Sequence, residues 1–130
     1  MSSLRLPWSL GSPAAARRHL YNELAGWASD GSVDAAVLLV SELVTNAVVH
    51  GHPELLLTVK VTDSLLRVEV IDGSPHLPVR RRSATMTNTG RGILLLDRLA
   101  DRWGVDRSTN HGKMVWFELD ARQPLGEKDP

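Results

Sequence analysis

The sequence predicts an α+β domain, a two-layer sandwich with helices packed on one face of a mostly antiparallel sheet. Three observations carry this expectation. Two segments of period-two alternation, residues 55–61 and 66–70, follow each other across a short turn, which reads as a β-hairpin. Two segments of helical spacing precede them without an intervening strand. The whole order is strand, helix, helix, strand, strand, loop, helix, strand, strand. Strands and helices do not alternate regularly, so a doubly wound parallel sheet is disfavoured.

Each element has its own signal. Leu4, Leu6 and Trp8 alternate with polar residues or proline, which gives a short edge strand over 4–10, where Pro7 is tolerated only at an edge. Ser12-Pro13 reads as an N-cap followed by proline in the first turn. The first helix runs from Ala14 to about Ser29, with Leu20, Leu24 and Trp27 on one side, and Asp30-Gly31 ends it. Ser32 caps a second helix and Asp34 stands near its positive end. Val37, Val40, Val44, Ala47 and Val48 make its apolar face, and Leu38, Leu39 and Leu43 extend that face around the cylinder. His50-Gly51-His52-Pro53 terminates it.

In the hairpin, Leu55, Leu57, Val59 and Val61 share one face, and Asp63-Ser64 forms the turn. Leu66, Val68 and Val70 share a face in the second strand, opposite Arg67 and Glu69. Residues 73–89 read as a mobile loop containing Arg80-Arg81-Arg82, which fits a solvated loop or a surface that steadies phosphates or a partner. A third helix starts near Gly92 and packs through Leu94, Leu95, Leu96 and Leu99. Residues 103–107 and 113–119 form a closing hairpin with Asn110-His111-Gly112 at the turn. A polar tail follows from Arg122. No repeat or second domain is visible, so residues 1–130 read as one domain with a core over about 12–120.

Composition removes several function classes. Lysine plus arginine equals aspartate plus glutamate at 15 each, which argues against a nucleic-acid binder working through a basic surface. There is no cysteine, so disulfides and thiolate metal sites are excluded. No apolar run approaches the roughly 20 residues of a membrane span, and Met1–Leu10 does not resemble a signal peptide. A cytoplasmic protein is the expectation. His19, His76 and His111 share no spacing with carboxylates, so a metal site of protein ligands alone is not expected. No nucleophile elbow is present.

Three features carry chemistry. Glu42, Asn46 and His50 form a polar stripe at i, i+4 and i+8 on the apolar second helix. The stripe is either solvated or an inward-facing acid and amide beside a ligand. Glutamate suits general-base work, and an asparagine oxygen suits a hard cation such as Mg²⁺ bridging phosphates. Asp72 continues the parity of Leu66, Val68 and Val70. It is either a surface Asp-Gly turn or an inward carboxylate able to accept from an exocyclic amine, as adenine presents. Thr89-Gly90-Arg91-Gly92 precedes the third helix. It is either a flexible joint or a place where backbone N–H groups meet phosphate. It is not a P-loop, because no Gly-Lys-Ser/Thr follows.

Together these motifs resemble the GHKL (Bergerat-fold) ATPases. Glu42 and Asn46 in SELVTNAVVHG resemble the N-box, and Asp72 in VEVIDGSP resembles the G1 box. Gly90-Arg91-Gly92-Ile93 resembles the G2 box, and Gly112-Lys113 resembles the last box. Order, spacing and length are similar to the anti-sigma-factor serine kinases and their actinobacterial relatives. The resemblance implies a Bergerat fold of three helices on one face of a mixed sheet, with ATP between the helices and a lid over residues 75–89. It implies that Glu42 activates the attacking hydroxyl, Asn46 binds Mg²⁺ and Asp72 receives the adenine amine. Ser74 and Thr89 would line the nucleotide, Gly90, Arg91 and Gly92 would hold phosphates, and Lys113 would contact the nucleotide.

The implied activity is transfer of the ATP γ-phosphate to a serine of an antagonist protein. The implied partners are a STAS-like anti-anti-sigma protein, possible engagement of a sigma factor, and a possible homodimer. A non-catalytic, nucleotide-dependent binding module is the alternative. Two departures from the pattern bear on that choice. Ser74 and His76 stand where the G1 box often has glycines, and Met114 replaces a hydroxyl residue after the lysine.

Overall fold

A computed structural model describes residues 1–28, 30–51, 53–73, 93–107 and 112–122. The chain forms strand β1 (Ser2–Leu6), helices α1 (Ser12–Glu23) and α2 (Asp30–His50), and strands β2 (Leu55–Val61) and β3 (Leu65–Asp72). Residues 93–99 are helical, here α3. Strands β4 (Arg102–Arg107) and β5 (Lys113–Asp120) complete the sheet. The strand order is β1-β2-β3-β5-β4. Every adjacent pair is antiparallel, so the mixed sheet implied by the resemblance is an antiparallel one among the described residues. β3 and β4 run in the same direction, but β5 lies between them.

Alternation puts one face of each strand under the helices. Leu57, Val59, Leu66, Val68, Phe117 and Leu119 are buried with Leu39, Val40, Val44 and Ala47 of α2, Leu20 of α1 and Leu96 of α3. Full burial of side chains of this size contributes about 1.5–3 kcal/mol each. The region of α2 from Gly31 to His50 has a mean hydropathy of 1.6 and is long and apolar enough to cross a bilayer, contrary to expectation. That hydropathy serves the core: α2 packs on α1, β3 and β5. Leu38 and Val49 are exceptions, exposed to solvent. Leu94 is likewise exposed rather than packed.

Several boundaries differ from the sequence reading. β1 lies at Ser2–Leu6, and Pro7 follows it. Residues 2–6 pair in register with Val59–Leu55, and a proline N would break that ladder. Gly11, not Ser12, is the N-cap of α1; the Ser12 hydroxyl instead donates to the Pro7 carbonyl. α1 stops at Glu23, because Gly26 at φ 77° turns the chain, and Leu24 and Trp27 reach the core from that turn. α2 begins at Asp30, which places Ser32 inside the first turn rather than at the cap.

The other face of the sheet carries a charge ladder. Glu69 accepts from Lys60 Nζ at 3.4 Å and Arg67 Nε at 2.8 Å. Glu118 accepts from Arg67 Nη1 at 3.0 Å and Arg102 Nε at 2.7 Å. The Arg67 guanidinium sits 4.2 Å from the centre of the Trp116 ring, a cation–π contact. Burial pushes Glu118 upward, but the hydrogen bonds and charges of Arg102 and Arg67 hold it below the ordinary carboxylate range. Arg122, where the polar tail was expected to begin, donates to Asp120 and draws that carboxylate down to about 2.

Candidate functional site

Three chain segments meet where α2 ends: the C-terminal half of α2, the last residue of β3 and the first residues of β5. Glu42 and Asn46 are half-buried on α2, one turn apart, and His50 at its end is exposed. A stripe running from half-buried to exposed borders the core without entering it. Glu42 and Asn46 therefore stand at the rim of the helix layer, next to buried Leu39, Leu43 and Ala47.

Asp72 is 3% exposed. It follows Leu66, Val68 and Val70 on the helix-covered face of β3, where the burial alternates residue by residue. The inward reading of this carboxylate is the one the fold adopts. Burying a carboxylate is costly without compensation, and a cation supplies it. Asp72 and Lys113 are directly opposed Cα partners in the β3–β5 ladder, and Lys113 Nζ lies 3.4 Å from Asp72 Oδ2. The Lys113 side chain is 12% exposed. Gly112, buried, precedes it.

Gly51, read from sequence only as a helix terminator, is part of the same arrangement. Its N–H donates to the Ala47 carbonyl at 2.9 Å, closing α2. A Cβ at Gly51 would lie 2.8 Å from both Cγ and Oδ2 of Asp72 and 2.7 Å from the Ala47 oxygen. Only a residue without a side chain lets the end of α2 come this close to the carboxylate. The signal in the sequence was the single glycine between two histidines, and its spacing from Asp72 could not reveal the contact. Glu54 at φ 75° then turns the chain into β2.

Met114 stands on the opposite face of the sheet from Lys113, paired with Ile71. Ser74, Thr89, Gly90, Arg91 and Gly92, and the lid over residues 75–89, lie outside the described residues. Among the described residues no group of three or more histidine, aspartate or glutamate side chains gathers to hold a metal ion. Asn46 offers one neutral oxygen, and a hard cation held there would complete its six ligands from phosphate and water.

The arrangement has two chemically distinct ends. One is a buried acceptor carboxylate beneath a close-packed glycine, able to accept from a donor group. The other is an acid and an amide one turn apart, suited to a proton acceptor beside a cation. A family model described as a histidine kinase-like ATPase domain matches residues 10–119, spanning every part of this arrangement. No curated protein matches the chain.

Proposed function

We propose, because this chain belongs to the histidine kinase-like ATPase domain family, that it is a cytoplasmic regulatory kinase of the anti-sigma-factor type. The family assignment carries ATP binding in a GHKL-type domain; the kinase activity, Mg²⁺, the partners and the compartment are our reading. The observation that carries it is the inward Asp72 carboxylate, buried at a strand end beneath Gly51, facing the helix that bears Glu42 and Asn46.

In this reading Asp72 accepts the hydrogen bond of the adenine amine, and Asn46 holds Mg²⁺ on the phosphates. ATP with Mg²⁺ supplies the phosphoryl group, and the cation neutralises charge on the phosphates. Glu42 accepts the proton of a serine hydroxyl as its oxygen bonds to the γ-phosphorus. The bond from that phosphorus to the bridging oxygen breaks, and ADP leaves with the electron pair. Serine, rather than water, is the acceptor because the resemblance to the anti-sigma-factor kinases covers the whole order of motifs. The acceptor is a small STAS-like anti-anti-sigma protein, with a sigma factor as the sequestered partner and a homodimer as the working form.

Single-turnover transfer from labelled ATP to a serine-bearing acceptor tests the proposal. Glu42→Gln keeps shape and hydrogen bonding but accepts no proton, so transfer should fall about 10²- to 10⁴-fold while ADP affinity stays within a few-fold. Equal rates in wild type and variant would remove Glu42 from the chemistry. ATP binding without transfer to any acceptor would leave a nucleotide-dependent binding module.

A further inference from the structure

We propose that Lys113 serves the base end of the nucleotide site: its ammonium fixes the Asp72 carboxylate as a hydrogen-bond acceptor and so makes the site select 6-aminopurines over 6-oxopurines. This rests on the reading of the same site as an ATP site. The resemblance makes Lys113 a nucleotide contact without saying which part of the nucleotide it meets; the ladder places it on Asp72.

Three observations carry the inference. Lys113 is the direct cross-strand partner of Asp72, so the two side chains leave the sheet on the same face. Lys113 Nζ is 3.4 Å from Oδ2, with both side chains largely buried. Oδ2 is confined from another side by Gly51, where an added Cβ would approach to 2.8 Å. The carboxylate is thus held between a backbone wall and a cation. Its position is set before any ligand arrives, which lowers the cost of ordering it on binding.

The chemistry of selection follows from the donor inventory. A carboxylate accepts and does not donate, whereas an ammonium donates and does not accept. A 6-aminopurine offers N–H to the carboxylate. A 6-oxopurine offers a carbonyl oxygen, so two acceptors face each other with no proton between them, and a buried polar group left unpaired is what discriminates strongly between ligands. With the carboxylate removed, the ammonium of Lys113 presents donors at the same place, and the preference should turn toward a 6-oxopurine.

Calorimetric titration with ADP, GDP and inorganic triphosphate, all with Mg²⁺, tests this on wild type, Lys113→Met, Lys113→Arg, Asp72→Ala and the Asp72→Ala/Lys113→Met double variant. The double variant removes both members of the buried pair and leaves no uncompensated charge. The expected result has four parts. Lys113→Met weakens ADP about 10- to 100-fold, the worth of a hydrogen bond to a charged group, and leaves triphosphate unchanged. Lys113→Arg keeps ADP binding within a few-fold. Asp72→Ala weakens ADP and strengthens GDP, and the double variant loses the gain in GDP. Equal weakening of ADP, GDP and triphosphate in Lys113→Met would move Lys113 to the phosphates and overturn the assignment, as would unchanged ADP affinity. Wild type that binds none of the three ligands would instead overturn the ATP reading on which the inference rests.

Discussion

Gly51 is held to glycine by the Asp72 carboxyl group, which occupies the space a side chain would need. Gly51→Ala forces either the α2 terminus or the carboxylate to move. Overpacking of this kind costs about 1–3 kcal/mol, and an unfolding free energy lowered by that amount in chemical denaturation, together with weaker ADP binding, is the expected outcome. Asn46→Ala removes a half-buried amide one turn from Glu42. It should abolish the gain in ATP affinity that Mg²⁺ gives; an unchanged Mg²⁺ effect in calorimetry would show that the amide holds no cation. Some of this was legible residue by residue. The burial of Asp72 was half readable: a strand has period two, so three apolar neighbours of like parity pointed it inward, while the Asp-Gly pair that follows suited a surface turn equally well. The partner of Asp72 was not readable, because the pairing of β3 with β5 depends on a register set across 40 intervening positions. Gly51 was missed for the same reason: its contact lies across space and not along the helix.

At the scale of elements, the outer face of the sheet responds to acid through its charge ladder. The Glu118 carboxylate is held low by Arg102 and Arg67 against the opposing effect of burial. The unfolded chain therefore binds its proton at higher pH than the folded one. This contribution to stability is present above the ordinary value near 4.5 and is lost as pH falls through the lower native value. Urea unfolding followed from pH 6 to pH 3 should show stability dropping on the acid side, with a shallower drop in Glu118→Gln. The difference should be on the order of 1 kcal/mol, since Arg102 is well exposed and solvent screens such pairs. Element existence and type were legible throughout the described residues, whereas ends were less so. Serines at 12 and 32 suggested caps by a local rule, yet Gly11 caps α1 and α2 starts at Asp30. At Ser12 a bond back to Pro7 takes the hydroxyl that the rule assigned to the helix. Leu38 was read as core on its apolarity, although it stands one turn before Glu42 in line with the polar stripe of Glu42, Asn46 and His50.

For the whole molecule, ligand and fold are coupled, since the site is made by α2, β3 and β5 together. A ligand that binds only the folded form stabilises it by about 2.7 kcal/mol at one hundred times its dissociation constant. Saturating ATP with Mg²⁺ should therefore raise the thermal midpoint by several degrees in wild type and hardly at all in Asp72→Asn; equal shifts would detach the carboxylate from recognition. The antiparallel sheet has a further consequence, one of timing. β5 leaves the ribosome after every other strand, yet it fills the space between β3 and β4. Until it emerges, β3 presents an open edge that neighbouring chains could pair with. Lys113 is the first residue of that late strand, so the nascent chain acquires its Asp72–Lys113 ion pair and its filled sheet in a single step, and a translation product halted before residue 113 has neither.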